Sequence, residues 1–444
     1  RIVPFRGRRM VIPLRTGRSG AVEALPLSGF NSSTTTRGAP TTVTPGYQPV
    51  DNAYVRPKVI MCAIGVPQDV IDSSQGDRAA FYDVVDFEMQ GIKIDTANYL
   101  DLMAYTGGRE LAVCENADVD SSGEAATTGM RDQIVSTIYP FFNGKRIEYW
   151  DTYGATKRQH AADGSTDPGY VKVTATQRQH ASGHYIYTDI EVGANADQPQ
   201  DDDLIFSKGA RVTGATEGDT CAEMLGLNEI VNNADLKLKN YENSLFYMGI
   251  SRDPTEASYF EEWNSVVTNE NGNLTFESMQ TMIDDIHDHS GGEPTVILTT
   301  RATRREHAKK CMFVNPTSEV GGVNIRFQNT TRYQQGMVSY KEDSHYGGGN
   351  DYMLFDGRLP IIVDRYATHD YENSAGTMYF LDTRHIYYAL VTDWKWWAPQ
   401  GQILREAANN LFGVQAHAYI FGELVCDAPN TCGKLYNITV PAAA

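Results

Sequence analysis

The stretch Gly76-Asp77-Arg78-Ala79-Ala80-Phe81-Tyr82-Asp83-Val84-Val85-Asp86-Phe87-Glu88-Met89-Gln90-Gly91-Ile92-Lys93-Ile94-Asp95-Thr96-Ala97-Asn98-Tyr99-Leu100-Asp101-Leu102-Met103-Ala104-Tyr105-Thr106-Gly107-Gly108 governs how the rest of the chain is read. Phe81, Val85, Met89, Ile92, Thr96, Tyr99 and Met103 recur with a helical period, and Val84, Ile94 and Leu100 widen the stripe. That pattern predicts one helix from about Asp77 to Tyr105. Asp77 suits the positive end of the helix dipole, Gly91 is a mild cost, and Gly107-Gly108 stop the helix. Such a helix is roughly 43 Å long and needs a broad surface along its length. Phe81, Val85, Met89, Ile92 and Met103 are its candidate packing residues.

Ahead of it lie the apolar run Val59–Val66, Pro67 and a polar link to Gly76, which read as a strand and a connection. Behind it, residues 111–220 are polar and β-leaning. Lys145–Tyr149, Tyr170–Ala175, His184–Glu191 and Leu204–Phe206 read as short strands between Gly-, Asp- and Ser-rich turns. Leu225-Gly226-Leu227-Asn228-Glu229-Ile230-Val231 then leads into a helix expected over Asn232–Met248. Phe276, Met279, Ile283 and Ile286 share a helical face opened by Thr275 as N-cap and closed by Gly291-Gly292. A buried strand, Thr295–Leu298, and a basic helix, Arg301–Cys311, follow. Tyr352–Phe355 and Leu359–Val363 flank Asp356-Gly357, a strand–turn–strand signature. Tyr387-Tyr388, Trp394, Trp396, Trp397 and the β-like run Phe412–Cys426 close an α+β chain with no internal repeat.

The first 57 residues hold seven of the eighteen prolines and cannot form a domain. Arg9–Arg15 and Gly20–Leu27, separated by Thr16-Gly17-Arg18-Ser19, predict a hairpin. A lone hairpin is marginal in water, so the arm is expected to become ordered by lying across another copy of the chain. Residues 1–58 carry nine basic side chains against Glu23 and Asp51, a net of +7, which leaves −25 on the remainder of a chain whose total is −18. A basic arm on an acidic body is held by charge to a neighbouring acidic body. Arg6, Arg8, Arg9, Arg15, Arg18 and Arg37 are therefore the candidate inter-subunit contacts. Few aromatics and almost no Lys in the arm argue against a nucleic-acid-binding tail.

At 444 residues the chain should contain two lobes, each with its own core. No run of eighteen apolar residues occurs, so no membrane span is expected. The chain begins Arg1-Ile2-Val3 without Met, which suggests an upstream piece that was either cleaved or left out of this sequence. Six scattered cysteines (Cys62, Cys114, Cys221, Cys311, Cys426, Cys432) read as intracellular free thiols, although Cys426 and Cys432 are close enough in sequence to pair. As a zinc half-site that pair lacks a second pair.

Catalytic and metal motifs are missing. Asp118-Val119-Asp120-Ser121-Ser122-Gly123 opens like a calcium loop, but Gly129 stands where a bidentate Glu is needed. Asp284, Asp285, His287, Asp288 and His289 read as a solvated helix end before a cation site, and Asp201-Asp202-Asp203 as a turn. His180 and His184 flank a strand as surface or packing residues. Trp394, Trp396 and Trp397 suit a core or subunit interface before a sugar-stacking patch. With no nucleophile, base and orienting group nominated together, we expect no enzyme, no cofactor and no metal.

In its order of elements the chain resembles the major capsid proteins of tailed bacteriophages and related archaeal viruses, with the Hong Kong 97-like fold. Arg56–Gly108 and Arg405–Tyr436 carry the likeness, notably Ala416-His417-Ala418-Tyr419 and Ala428-Pro429-Asn430, and it extends over nearly the whole chain. It implies an α+β fold with an extended N-terminal loop, a long spine helix in a peripheral domain, and an α/β axial domain. On that reading residues 1–57 are the arm and extended hairpin loop, 58–110 the peripheral domain with the spine helix, and 111–220 a β-rich insertion. Residues 221–382 are then the axial domain, 383–420 the peripheral return, and 421–444 the C-terminal strands. The implied role is a structural subunit that self-assembles into hexamers and pentamers of an icosahedral virion shell. That shell encloses double-stranded DNA without sequence-specific binding and is assembled in the host cytoplasm. A cement or decoration protein, a portal and a scaffold are further implied partners. Some members weld neighbours through an isopeptide bond between a loop Lys and an Asn; residues 1–57 contain no Lys, so no such bond is expected. An encapsulin-type compartment shares the fold but is normally shorter and without the long 111–220 region. A β-rich carbohydrate-binding or hydrolytic protein using Trp394–Trp397 is the alternative from another class.

Overall fold

Small residues on one side and large ones on the other give the strand Gly413–Cys426 its place at the centre of the first sheet. Ala416, Ala418 and Ile420 are buried, while His417, Tyr419 and Phe421 between them are only half-buried, the alternation expected of a strand with one covered face. It pairs antiparallel with Lys58–Pro67 on one side and with Ile386–Trp396 on the other. Arg405–Glu406 adds a short partner, and Ile2–Pro4 joins parallel to Ile386–Trp396. The computed structural model describes residues 1–7, 9–15, 50–73, 78–108, 110–114, 133–135, 141–150, 157, 171–180, 183–188, 203–211, 222–233, 246–256, 259–313, 338–339, 352–355, 358–364, 366–367, 376–398, 401–406 and 413–439.

The long helix spans Arg78–Thr106 and lies on the covered face of this sheet. Ile60, Ile420, Met103 and Met224 form a small core there, with Tyr99, Leu100, Tyr388, Leu390 and Trp394 around it. Thr96 donates from Oγ1 to the Ile92 carbonyl (2.6 Å) and meets the Cys62 thiol at 3.0 Å. Gly107 ends the helix, its N–H bonded to the Met103 carbonyl. The backbone of residues 224–226 crosses at that point. A Cβ on Gly107 would run into the Met224 carbonyl, and one on Gly226 would lie 2.6 Å from the Tyr105 carbonyl carbon. With neither present, Gly226 N–H reaches the Gly107 carbonyl at 2.7 Å.

Between Ala112 and Ser207 the chain builds a closed six-stranded barrel in the order Leu204–Ser207, Ala112–Cys114, Gln133–Val135, Gly183–Thr188, Val171–His180 and Arg146–Trp150. Ile147, Tyr149, Val173 and Ile205 are fully buried in it. The second sheet is mixed and has seven strands, ordered Val266–Gly272, Gly433–Ile438, Gly376–Leu381, Val296–Thr299, Leu359–Val363, Tyr352–Phe355 and Val338–Ser339. Helix Phe276–Ser290 covers one face of it, placing Met279, Met282, Ile283 and Ile286 on Ile297, Ile361, Met378, Phe380, Leu435 and Ile438. Thr275 and Ser278 form a reciprocal cap at its start, and Gly291 turns left-handed at its end. No helix among the described residues is long and apolar enough to cross a membrane.

Arg252, directly after the strand Ile250–Ser251, is fully buried. Its Nη1 donates to the Glu229 carbonyl (2.7 Å) and its Nη2 to the Ile230 carbonyl (2.8 Å), closing the short helix Leu227–Ile230. The Tyr247 ring lies 4.9 Å from the guanidinium, and Trp263 Nε1 donates to the Tyr247 carbonyl. A buried guanidinium is tolerated only when its donors are satisfied in this way.

Three expectations are corrected. Met10–Arg15 pairs antiparallel with Val50–Val55, not with Gly20–Leu27, which lies outside the described residues. That stem puts Leu14, Ala53 and Val55 into the main core, and Ile2–Pro4 joins the first sheet, so both ends of the arm fold on their own subunit. The alternation Met10, Ile12, Leu14 was the signature of a half-buried strand whose partner is remote in sequence. Phe246–Tyr247 is a strand turning into Ile250–Ser251 through Met248 and Gly249, both at positive φ, where a helix was expected over Asn232–Met248. Ile94, placed with the packing stripe of the long helix, is 63% exposed.

The crossing makes a sharp prediction. Gly226→Ala should lower the unfolding free energy by about 3 kcal/mol through forced overlap. Gly65→Ala, in a strand position with nothing within 4 Å, should stay within about 0.5 kcal/mol. Urea denaturation of both variants checks the contrast.

Candidate assembly surface

Odd-numbered residues of Lys58–Pro67 point away from the long helix. Val59 (51% exposed) and Met61 (60%) stand opposite Phe421 and Tyr419 of the central strand, on the uncovered face of the first sheet. Lys395 Nζ lies 5.3 Å over the Tyr419 ring, and Trp397 meets the His417 ring edge-on at 5.9 Å. The result is an apolar and aromatic face bordered by one ammonium group.

The other side of the same layer is similar. Thr96, Tyr99 and Met103 turn toward the sheet, and at 100° per residue Phe87 and Ile94 point the opposite way. Phe87 is 75% exposed. Isolated exposed apolar residues need no explanation, but matched apolar sites on both outer sides of one helix–sheet layer do.

The candidate packing residues divide along the helix. Met103 is fully buried, Met89 and Ile92 are half-buried, and the side chains of Phe81 and Val85 lie outside the described residues. Of the arm's arginines, Arg6 and Arg9 are exposed, and the Arg9 guanidinium stacks 3.4 Å over the Tyr54 ring of its own stem. Arg15 ends a strand opposite Val50, its side chain not described, and Arg8, Arg18 and Arg37 lie outside the described residues. The three tryptophans do not share a surface. Trp394 and Trp396 pack edge to face at 5.3 Å, with Trp394 against the helix-side core, whereas Trp397 belongs to the uncovered face.

Among the described residues no three His, Cys, Asp or Glu side chains stand close enough to hold a metal ion. Asp285, Asp288 and His289 line a shallow groove of about 610 Å³ with Glu261, Asn264 and Arg252. The calcium-like run at 118–129, Asp201 and Asp202 lie outside the described residues, as do the side chains of His180 and His184; Asp203 is fully buried.

Two buried carboxyl groups lie beneath this layer. Glu423 accepts from Leu225 N–H at 2.6 Å, and burial pushes its carboxyl up to about 8, with Lys58 opposing the shift. Glu223 accepts from the Tyr99 hydroxyl and is raised by burial too, while burial lowers the facing Lys145 ammonium to about 8. Glu423 holds a proton in the folded state that an unfolded Glu has released, and Glu223 shifts in the same direction. The stability that Glu423 contributes is complete below about pH 4.5 and disappears as pH rises through about 8. Urea midpoints should therefore fall between pH 5 and pH 8. Glu423→Gln, which keeps an acceptor for Leu225, should flatten that fall; an equal slope in the variant contradicts the assignment.

Sequence reasoning missed Val59, Met61 and Phe87. The run Val59–Val66 was read as a strand with no face assigned to it; Ile60, Ile64 and Val66 are its buried members. Phe87 fell off the helical stripe, and that offset was the available signal.

No protein-family model matches the chain, and no curated protein matches it. Solved structures do. The cyanophage A-1(L) capsid asymmetric unit is 11% identical with a TM-score of 0.43, the match covering 99% of this chain and 90% of that one. The capsid of Myoviridae phage XM1 is 8% identical with a TM-score of 0.42, covering 98% and 90%. The holo-SrpI encapsulin of Synechococcus elongatus PCC 7942 is 13% identical with a TM-score of 0.27, covering 42% and 59%. The first two of these, matched over nearly the whole chain, are phage capsids.

Proposed function

We propose that this chain is the major capsid protein of a tailed virus, a structural subunit without catalytic activity. It associates with copies of itself into hexamers and pentamers that close an icosahedral shell around double-stranded DNA. The observation that carries this reading is the helix–sheet layer with apolar side chains left in solvent on both outer sides, Val59 and Met61 on one and Phe87 and Ile94 on the other. A subunit in a closed lattice has neighbours on more than one side, and each such contact must bury apolar area of its own.

In this reading the long helix is the spine of a peripheral domain that also takes the first sheet, and the second sheet with its helices is the core of the axial domain. The N-terminal arm, residues 1–57, carries the loop that reaches a neighbour. Its arginines, Arg6 and Arg9 among them, meet an acidic body of net charge −25. Without a Lys in residues 1–57 the loop has no amine for an isopeptide weld, so shell strength comes from buried area, from loop exchange and from a cement protein where one binds. A portal and a scaffold are the other expected partners, and assembly takes place in the host cytoplasm.

Expression of the full chain tests this. Size-exclusion chromatography and negative-stain imaging should show closed particles containing nuclease-protected DNA when they are made in infected cells. Phe87→Asp with Ile94→Asp should yield soluble subunits with unchanged circular dichroism and no particles. A monomer that stays monomeric at high concentration, or a double variant that assembles normally, would remove the support.

A further inference from the structure

Three adjacent strands of the barrel line up a row of basic side chains. Arg146 stands directly opposite Lys172 where Arg146–Trp150 pairs with Val171–His180. On the other side, Lys208 N–H bonds the Arg146 carbonyl at 3.1 Å, next to the paired Ser207 and Ile147. Arg146, Lys172 and Lys208 are exposed, whereas Ile147, Val173 and Ser207 beside them in sequence are buried. All three therefore point out of the barrel, and strand spacing makes the row about 10 Å long. Phe142, 60% exposed, stands in the turn that leads into Arg146.

Like charges directly opposite one another destabilise a sheet. The next residue on that face of the strand, Glu148, is buried and already bonded to Lys157 Nζ (3.0 Å) and Gly209 N–H (2.9 Å). Such a row is stabilised by anionic groups brought to it from outside the barrel. Duplex DNA is one source, but three cations neutralise only about three phosphates, too few to hold a chain of net charge −18 on DNA. A protein surface with carboxylates in a line is the better match, and helix Phe276–Ser290 carries one. Its apolar side packs on the second sheet, while Glu277, Asp284, Asp285 and Asp288 are all exposed. Glu277, Asp284 and Asp288 fall within about 40° of one another around the helix, a straight ridge roughly 16 Å long. Gln280 bonds Asp284 at 2.8 Å, and none of the four carboxylates makes an ion pair among the described residues.

We propose that the basic row Arg146, Lys172 and Lys208 docks on the acidic ridge of helix Phe276–Ser290 in a second copy of this chain. The inference rests on the self-assembly reading above and names one contact within it. One patch meets a different patch, so the contact is heterologous and passes from copy to copy instead of ending at a dimer. Phe142 lies at its rim and adds apolar area. Salt screens a contact of this kind, so assembly through it weakens as ionic strength rises.

The test treats particles of the full chain with a carbodiimide and maps the linked peptides by mass spectrometry. Lys172 or Lys208 should be found amide-linked to Glu277, Asp284, Asp285 or Asp288 in particles and not in dissociated subunits. Particles without these links, or dissociated subunits that show them equally, overturn the proposal. A second arm reverses the row with Arg146→Glu, Lys172→Glu and Lys208→Glu. Because facing like charges repel, the concentration needed for assembly should rise by about tenfold or more, with circular dichroism unchanged. Adding Asp284→Lys, Asp285→Lys and Asp288→Lys to the same chain should restore assembly. A reversed row that assembles like the parent removes this contact and leaves the shell reading standing, whereas a parent chain that stays monomeric removes both. A reversed row that assembles normally but loses its nuclease-protected DNA assigns the row to DNA and overturns the proposal.

Discussion

Where the long helix ends, two backbones pass so closely that neither can carry a side chain. Gly107 and Gly226 meet there through a single N–H to carbonyl bond. The contact is made by main chain, and the residues following Gly226 inherit its position. Tyr99 of the helix bonds Glu223, and Glu423 of the first sheet takes Leu225 N–H. Tyr379 of the second sheet bonds Asn228, and Arg252 takes the carbonyls of Glu229 and Ile230. Eight consecutive residues, 223–230, thus connect helix, first sheet and second sheet, largely through buried polar bonds.

A polar hub of that kind has electrostatic consequences. Hydrogen bonds inside a low-dielectric interior are strong when complete and costly when broken. Arg252 is neutralised by carbonyls, an aromatic face and the Glu229 carboxylate 3.9 Å away, so its charge is spread over several partners. Burial raises the carboxyls of Glu423 and Glu223, so each holds its proton more tightly. The hub is rigid in connectivity yet has protonation states that solution conditions reach.

Much of this architecture could be read from the residues, and the parts that could not share a cause. Gly107-Gly108, Thr275 and Gly291 act locally, so the long helix and the capped helix were legible, as were the paired strands around Leu354. The four barrel strands between Lys145 and Phe206 were legible by alternation and turn spacing. What escaped depends on distant partners. Met10–Arg15 pairs across 34 intervening residues with Val50–Val55, and no local rule names that partner. Arg252 reads as an ordinary surface residue until the carbonyls of Glu229 and Ile230 are brought to it. Val59, Met61 and Phe87 were hidden for the opposite reason. Apolar residues at element spacing are assigned to the interior by default, and the pattern does not tell burial inside a subunit from burial between subunits.

The barrel enters and leaves the rest of the molecule at one place. Leu204 lies opposite Val113, and Leu111 N–H bonds the Ile205 carbonyl, so the first and last strands of the unit are immediate neighbours. A module with adjoining ends behaves as a cassette: its length and contents can change between relatives while the two sheets and the helix keep their register. Variation in this lineage should then accumulate in the cassette and leave the scaffold nearly constant, and foreign sequence introduced there has a closed β-wall to rest on.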